Sequence, residues 1–152
     1  MQKILIEFYK NPPLKGLGRA LREASLERLV AYILSKHGCM HPYRLSRILV
    51  LANWISLEKI GKPLARFSIE GFEAGFSIPE LSLIKEESNN CFKKNKEKKC
   101  LEYTCSPPEL GEEEVQILDE AVEKTKNLSD IELNRLIIRD ARYRELLEKG
   151  GF

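Results

Sequence analysis

The sequence predicts a mainly α fold, a compact bundle of about five helices with a small β-hairpin. Several segments repeat apolar residues with the period of a helix that buries one face, and helix-capping signals flank them. One stretch in the second half alternates as a short strand does. The 152 residues, 43% of them hydrophobic, suffice for one domain with one core. We expect residues 25–152 to form this domain and residues 1–24 to be an N-terminal extension packed on it.

The first two helices are marked by their apolar faces and by their ends. Residues 26–34 place apolar side chains on one helical face, Ser25 can cap the helix start, and Gly38 suits its end. A second helix is predicted from His41-Pro42, where proline fits the first turn, to Gly61.

The middle of the chain predicts shorter elements. Residues 66–78 contain two glycines and favour a short strand or an extended turn. The segment Ser77-Ile78-Pro79-Glu80 has the S-x-x-E spacing of a capping box and predicts a short helix. After a lysine-rich, solvated segment, residues 100–104 alternate and predict a strand of the hairpin.

Two further helices are predicted in the last third of the chain. The run Glu112-Glu113-Glu114 suits the first turn of one, because acidic residues are favourable at the amide end of the helix dipole. Ser129-Asp130-Ile131-Glu132 is a second capping box, which opens the last helix. The residues of this helix expected to face inward are Leu133, Leu136, Ile137, Leu146 and Leu147.

The charge and the hydropathy of the chain narrow the function classes. The net charge is +2, although residues 1–66 carry +8 and residues 67–152 carry −6. This total is far from that of an obligate nucleic-acid coat protein. The apolar runs are too short to cross a bilayer, and Glu7 interrupts the first of them, which also lacks the features of a signal peptide. We therefore expect a cytoplasmic protein without a membrane partner.

The four cysteines match no compact zinc module, since no C-x-x-C pair occurs, and we predict no metal site. If Asn95-Lys96 forms a two-residue hairpin loop, Cys91 falls opposite Cys100, at the distance that a cross-strand disulfide needs. The predicted disulfide is therefore Cys91–Cys100, with Cys100–Cys105 as the alternative. A low content of Gln and Thr in a chain rich in Lys, Glu, Ile and Leu is compatible with a thermophile, in which intracellular disulfides are tolerated.

Motifs of catalysis are missing from the sequence. It contains no nucleophile elbow and no P-loop, and Gly16-Leu17-Gly18 lacks the third glycine of a dinucleotide-binding motif. We therefore predict that the protein is not an enzyme and uses no cofactor.

The first two predicted helices also allow a DNA-binding interpretation. They form a candidate helix-turn-helix, in which the second helix carries Arg44 and Arg47 and the lysine-rich hairpin supplies a basic wing. The second helix is apolar on most sides, however, whereas a recognition helix needs an exposed polar face. A winged-helix-like DNA-binding transcriptional regulator is therefore the alternative function.

Three motifs follow one another between residues 45 and 81. They are LSRILVLANW at residues 45–54, GKPL at residues 61–64 and IEGFEAGFSIPEL at residues 69–81. Their order and spacing resemble those of the Panacea (pan-antitoxin, SocA-like) domain family, with its L-x-K-L-L-Y-x-A-x-x-W, G-K-P-L and F-E-A-W-x-Y-G-P-V-x-P-x-L patterns. Residues 112–147 are also similar to the closing pair of helices in that family.

The resemblance implies a non-catalytic protein-binding domain without a cofactor. Panacea antitoxins neutralise a small toxin partner, and SocA-like members act as adaptors that present the toxin to a protease. The chain departs from the family pattern at Arg47, where the family has Lys, at Ala74, where it has Tyr, and at Gly75-Phe76, where it has Gly-Pro.

Two sets of residues are candidate contacts for such a partner. A binder of this kind needs an exposed apolar patch with a charged rim. The first set is aromatic, and its alternative role is to cover the core. The second set is basic and suits an acidic partner, and its alternative role is that of a solvated hairpin tip. The predicted partner-binding residues are Phe67, Phe72 and Phe76 in the first set, and Lys93, Lys94 and Lys96 in the second.

Overall fold

The computed structural model describes residues 25–87 and 91–152, so the predicted extension over residues 1–24 lies outside the described residues. Within these ranges the chain forms six helices and two antiparallel two-stranded hairpins. The elements are α1 (Leu26–His37), α2 (Pro42–Ile60), β1 (Glu70–Phe72), β2 (Gly75–Ser77), α3 (Pro79–Glu87), β3 (Phe92–Asn95), β4 (Cys100–Tyr103), α4 (Glu112–Thr125), α5 (Asp130–Ile138) and α6 (Arg142–Lys149). The mainly α character is confirmed, with one more helix and one more hairpin than expected.

Helix α2 is the centre of the core. It packs against α4 and α5, and it is buried on nearly every side. One of its buried polar residues, Asn53, bonds to the loop that follows the helix: its Nδ2 donates to the carbonyl of Ala65 at 2.8 Å, and its Oδ1 accepts from the amide of Leu64 at 2.9 Å. A buried amide with such partners costs little and fixes the loop path. The GKPL segment is thereby held against α2.

Local capping signals set most helix ends as expected. Ser25 accepts from the amide of Arg28, and Gly61 ends α2 with a φ of 77°, a left-handed conformation that glycine adopts easily. The Ser129 and Glu132 capping box has both of its hydrogen bonds, at 2.8 and 3.1 Å. Glu80 was predicted to form a capping box with Ser77, but its carboxylate instead accepts from the amide and hydroxyl of Ser68.

The single last helix predicted from Ser129 is wrong, because the chain breaks it into α5 and α6. At the break, the carboxylate of Asp140 accepts from the amide and the guanidinium of Arg142, and it so stabilises a turn before α6. Leu133 and Ile137 are buried as expected, whereas Leu136 is 45% exposed.

The β3–β4 hairpin has a different register from the predicted one. Asn95 pairs with Cys100, so the turn comprises residues 96–99 and is longer than the expected two-residue loop. The Asn95 side chain accepts from the amide of Lys98 at 3.0 Å, a local bond that favours this turn.

The register explains why the predicted Cys91–Cys100 disulfide, and the Cys100–Cys105 alternative, are wrong. The structure joins Cys39 to Cys100 and Cys91 to Cys105, with Cα–Cα distances of 5.5 and 5.2 Å. Cys91 lies beside Thr104, which donates two hydrogen bonds to the Cys91 carbonyl, so the next residue, Cys105, is its neighbour.

The Cys39–Cys100 disulfide ties the hairpin to the turn between α1 and α2. Met40, also in that turn, exchanges two backbone hydrogen bonds with Leu101, of 3.1 and 2.8 Å. The hairpin is therefore attached to the helices by a covalent bond and a β-bridge.

Over the described ranges, no helix combines the length and the apolar character that crossing a bilayer requires.

Candidate functional site

A groove of about 660 Å³ opens between the start of α2, the junction of β2 and α3, and the β3–β4 hairpin. This volume lies within the range of ligand-binding clefts. Apolar side chains form its floor, and basic side chains form one wall. The floor includes Tyr43, Phe76, Ile78, Leu81 and Leu101.

The start of α2 sets two of the groove residues in place. Pro42 occupies the first helical turn, and His41 caps the helix, its Nδ1 lying 3.0 Å from the amide of Tyr43 that donates to it. Tyr43 and Arg47 are four residues apart, so they lie on the same helical face, toward the groove.

Arg47 is the central side chain of the site and is only 2% exposed. Its guanidinium lies between the rings of Tyr43 and Phe76, with its Cζ at 3.8 and 4.0 Å from the two centroids. Its Nε and Nη2 donate to Asn134 Oδ1 at 3.1 and 2.9 Å, and its Nη1 donates to the Phe76 carbonyl and the Ser46 hydroxyl at 2.9 and 2.8 Å. Stacking and hydrogen bonding together fix the side chain.

The positive charge of Arg47 has no direct counter-charge in the described part of the fold. Burial lowers the pKa of its guanidinium, yet an arginine stays protonated in proteins. No ion pair to Arg47 is formed by any carboxylate within residues 25–84 and 91–152. The neighbouring carboxylate of Asp130 pairs instead with Arg44 at 2.8 Å. The groove therefore has a fixed cation at its base.

The wall of the groove adds three lysines, Lys94, Lys96 and Lys99, here called the lysine wall. All three are exposed, and none of the described groove residues is acidic. Lys93 lies outside the groove because successive strand residues point to opposite faces, and it stands opposite Glu102 in the hairpin register. The lysine wall is thus electropositive, and the described lining of the groove holds no carboxylate that faces it.

The structure brings together half of the residues that the sequence proposed as partner contacts. Phe76, Lys94 and Lys96 line the groove, whereas Phe67, Phe72 and Lys93 do not. Phe67 is buried against Phe152, with ring centroids 5.1 Å apart, and so has the alternative role of a core residue. Phe72 is 68% exposed on β1.

Tyr43, Arg47 and Lys99 are among the groove residues that the sequence did not predict as partner contacts. A signal was present for Arg47, because it is a charged residue on an otherwise apolar face of α2. A charge at a core position needs partners, and its burial is therefore a sign of a specific local arrangement.

A second polar cluster joins α1 to α4 and is here called the Asp119 cluster. The Asp119 carboxylate accepts from the Tyr32 hydroxyl at 2.8 Å and from Lys36 Nζ at 2.5 Å, and His37 Nε2 lies 3.0 Å from it. Burial acts to raise the pKa of Asp119, but hydrogen bonds from Lys36, His37 and Tyr32 together lower it. All four side chains are engaged with one another, an arrangement that holds two helices together.

The described residues contain no group of three or more His, Cys, Asp or Glu side chains placed to hold a metal ion, and all four cysteines form disulfides. Comparison of the chain with protein-family models, with curated proteins and with solved structures finds no match.

Proposed function

We propose that this protein is a non-catalytic protein-binding domain that acts as an antitoxin or adaptor, holding a small toxin partner and, in the adaptor role, presenting it to a protease. The observation that carries the proposal is the groove, which combines an apolar floor with an unmatched basic wall. Protein-binding surfaces commonly have an apolar centre and a polar rim. Among the described lining residues, His41 and Ser46 bond to the backbone of Tyr43 rather than to each other, and we infer that the groove serves binding.

The motifs that resemble the Panacea family build this groove. The segment at residues 69–81 forms both strands of the first hairpin and the start of α3, and it supplies Phe76, Ile78 and Leu81 to the floor. The segment at residues 45–54 forms most of the buried part of α2. The resemblance therefore concerns the residues from which the proposed binding site is made.

The positions that depart from the family pattern lie together around Arg47. The Phe76 ring stacks on Arg47, and a Cβ at Gly75 would lie 3.4 Å from Arg47 Nη2. Asn134, which accepts from Arg47, donates to the carbonyl of Ala74 at 3.0 Å. We infer that these positions form one unit and give the groove a different partner preference from that of the Panacea family.

The two arginines of the candidate recognition helix argue against the DNA-binding alternative. Arg44 donates to Asp130 and to the carbonyl of Thr125, and Arg47 is buried between two aromatic rings. Neither guanidinium is free to contact a base edge, and α2 exposes no polar face of the kind that reads a groove.

We place the protein in a cytoplasm that tolerates disulfides. Disulfides are rare in reducing cytosols, but they occur in intracellular proteins of hyperthermophiles. The two disulfides and the thermophile-like composition agree with such a cell.

Co-expression with the product of the adjacent open reading frame tests the proposal. We expect that product to arrest growth by itself, and this chain to restore growth and to copurify with it. Growth arrest that persists despite soluble expression of this chain, without copurification, would overturn the antitoxin role. Duplex-DNA binding that weakens steeply with salt would instead support the regulator.

A further inference from the structure

We propose that the groove recognises an acidic segment of the partner, an extended peptide in which Asp or Glu side chains flank one large apolar anchor. The inference rests on the proposed function for the existence of a partner, and it adds the chemistry by which that partner is chosen. The floor would take the apolar anchor, and the lysine wall would take the carboxylates.

The floor is suited to an aliphatic or aromatic side chain. Tyr43 is its exposed member, at 37% although its ring stacks on Arg47, and the edges of the other apolar side chains, which are 2 to 8% exposed, form the rest. Phe76 is 8% exposed, with one face against Arg47, so it offers little open ring face to a stacking nucleobase. An apolar peptide side chain needs only the edges and aliphatic surfaces that are present.

The wall is suited to carboxylates. The lysine wall and Arg47 bring four cationic side chains to one cavity, and no described residue that lines it is acidic. Like charges held together repel one another, so an acidic ligand would relieve this repulsion while it forms its own ion pairs. The wall is also fixed in place, because the Cys39–Cys100 disulfide and the Met40–Leu101 bridge attach its hairpin to the start of α2.

Two other occupants fit the groove less well. Residues 1–24 carry five basic and two acidic side chains, so their charge does not complement the lysine wall. A nucleic acid would use the lysines through its phosphates, but it would leave the apolar floor without a matching group. An acidic peptide with an apolar anchor matches both surfaces.

Selection from a phage-displayed library of random decapeptides tests the inference on the full chain. The matched variants are Lys94→Glu and Lys93→Glu, which make the same charge change on neighbouring residues of β3, one in the groove and one outside it. The triple variant Lys94→Glu, Lys96→Glu and Lys99→Glu serves as the counter-target. We expect the wild-type chain to enrich peptides with several Asp or Glu residues around a Leu, Phe or Trp.

Fluorescence anisotropy with the most enriched peptide, labelled with fluorescein, then measures the contributions. We expect Lys94→Glu to weaken binding about tenfold, Lys93→Glu to change it less than about twofold, and salt to weaken it throughout. Replacing the peptide's apolar anchor by Ala should abolish binding, whereas replacing its acids by Asn and Gln should reproduce the loss seen with the variant.

Several results would overturn the inference. They are enrichment that is equal on the triple variant, enrichment of neutral or basic peptides, an equal effect of the two single variants, and displacement of the peptide by duplex DNA at low concentration. A toxin that copurifies equally with wild type and the triple variant would overturn the inference and leave the proposed function standing. If acidic peptides are selected but the chain neutralises no toxin, the proposed function is overturned and the inference about the groove stands.

Discussion

Positive side chains have opposite surroundings at the two ends of the α1–α2 turn. Before the turn, Lys36 and His37 contact the Asp119 carboxylate, which joins α1 to α4. After the turn, Arg47 and the lysine wall surround a groove whose described lining holds no carboxylate. The first set of cations is paired within the fold, whereas the second has no paired carboxylate among the described residues.

This difference separates the charges that stabilise the fold from those that we propose serve binding. A cation paired with a carboxylate contributes to stability, whereas a group of unpaired cations contributes repulsion. The three lysines of the lysine wall are therefore charges that the fold alone does not need. Variants of the lysine wall and variants of the Asp119 cluster should therefore change the stability in opposite directions.

The largest effect is expected from the disulfide that holds the lysine wall. Replacing Cys39 and Cys100 by Ala opens a link between residues that are 61 positions apart, which we expect to cost about 4 kcal/mol. The matched change at Cys91 and Cys105, 14 positions apart, should cost about 3 kcal/mol. Urea unfolding at neutral pH measures both.

Hydrogen exchange shows whether the Cys39–Cys100 disulfide stabilises the groove or the Asp119 cluster. We expect its loss to speed exchange in β3 and β4 while α1 and α4 stay protected around Asp119. Equally faster exchange in both regions would mean that the Asp119 cluster and the groove unfold as one unit, and that the disulfide does not support the groove alone.

Arg47→Met is expected to have the next largest effect, a loss of about 3 kcal/mol. Methionine has a similar length but leaves Asn134 Oδ1 and the Phe76 carbonyl without their donor. Arg44→Met is the control, since it breaks a partly exposed ion pair with Asp130 and should cost about 1 kcal/mol or less. Urea unfolding compares the two. If the Arg47→Met variant is more stable than wild type, the Arg47 charge destabilises the fold, as we expect the charges of the three lysines to do.

These two experiments address features that the sequence predicted unequally. The ends of α1, α2 and α5 were predicted from Ser25, Gly61 and the Ser129 box, because capping depends on residues within one turn. The disulfide pairs were not, because they follow from a hairpin register set by the turn after Asn95.

The groove itself was predicted in part. The lysine-rich hairpin and Phe76 were both visible as candidate contacts, but their meeting at one cavity depends on tertiary packing. The Arg47 network is the clearest example, since Asn134 is 87 residues away and no local pattern connects them. Composition and periodicity identify candidate residues, whereas only the fold shows which of them are neighbours.

Asp119→Asn is expected to show the pH dependence of the matched cluster. The folded-state pKa of Asp119 is below its unfolded value, so the carboxylate stabilises the fold above the unfolded pKa, and this stability is lost as pH falls through the folded pKa. We expect the variant to be about 1 kcal/mol less stable at neutral pH, with allowance for partial exposure. The difference should disappear in strong acid.

Urea unfolding of wild type and variant from neutral pH into strong acid measures this difference. Glu123→Gln is the control, because its i,i+3 pair with Lys126 is exposed at both ends and should have a negligible effect. A difference between wild type and Asp119→Asn that stays constant down to the acid limit would show that the carboxylate charge is not what joins the two helices.

Neutralising the lysine wall is expected to have the smallest effect, and one of opposite sign. Changing Lys94, Lys96 and Lys99 to Gln should stabilise the fold by less than about 0.5 kcal/mol at low salt, because it removes repulsion between unpaired cations. Lys36→Gln should instead destabilise the fold, because it removes a partner of Asp119. Thermal unfolding at low and high salt distinguishes the two variants. Salt screens both repulsion and attraction, so the stability of the triple variant should fall toward that of wild type, and the stability of Lys36→Gln should rise toward it. A triple variant less stable than wild type at low salt would mean that these lysines have partners within the fold, and their proposed role as a wall reserved for an acidic partner would lose its physical basis.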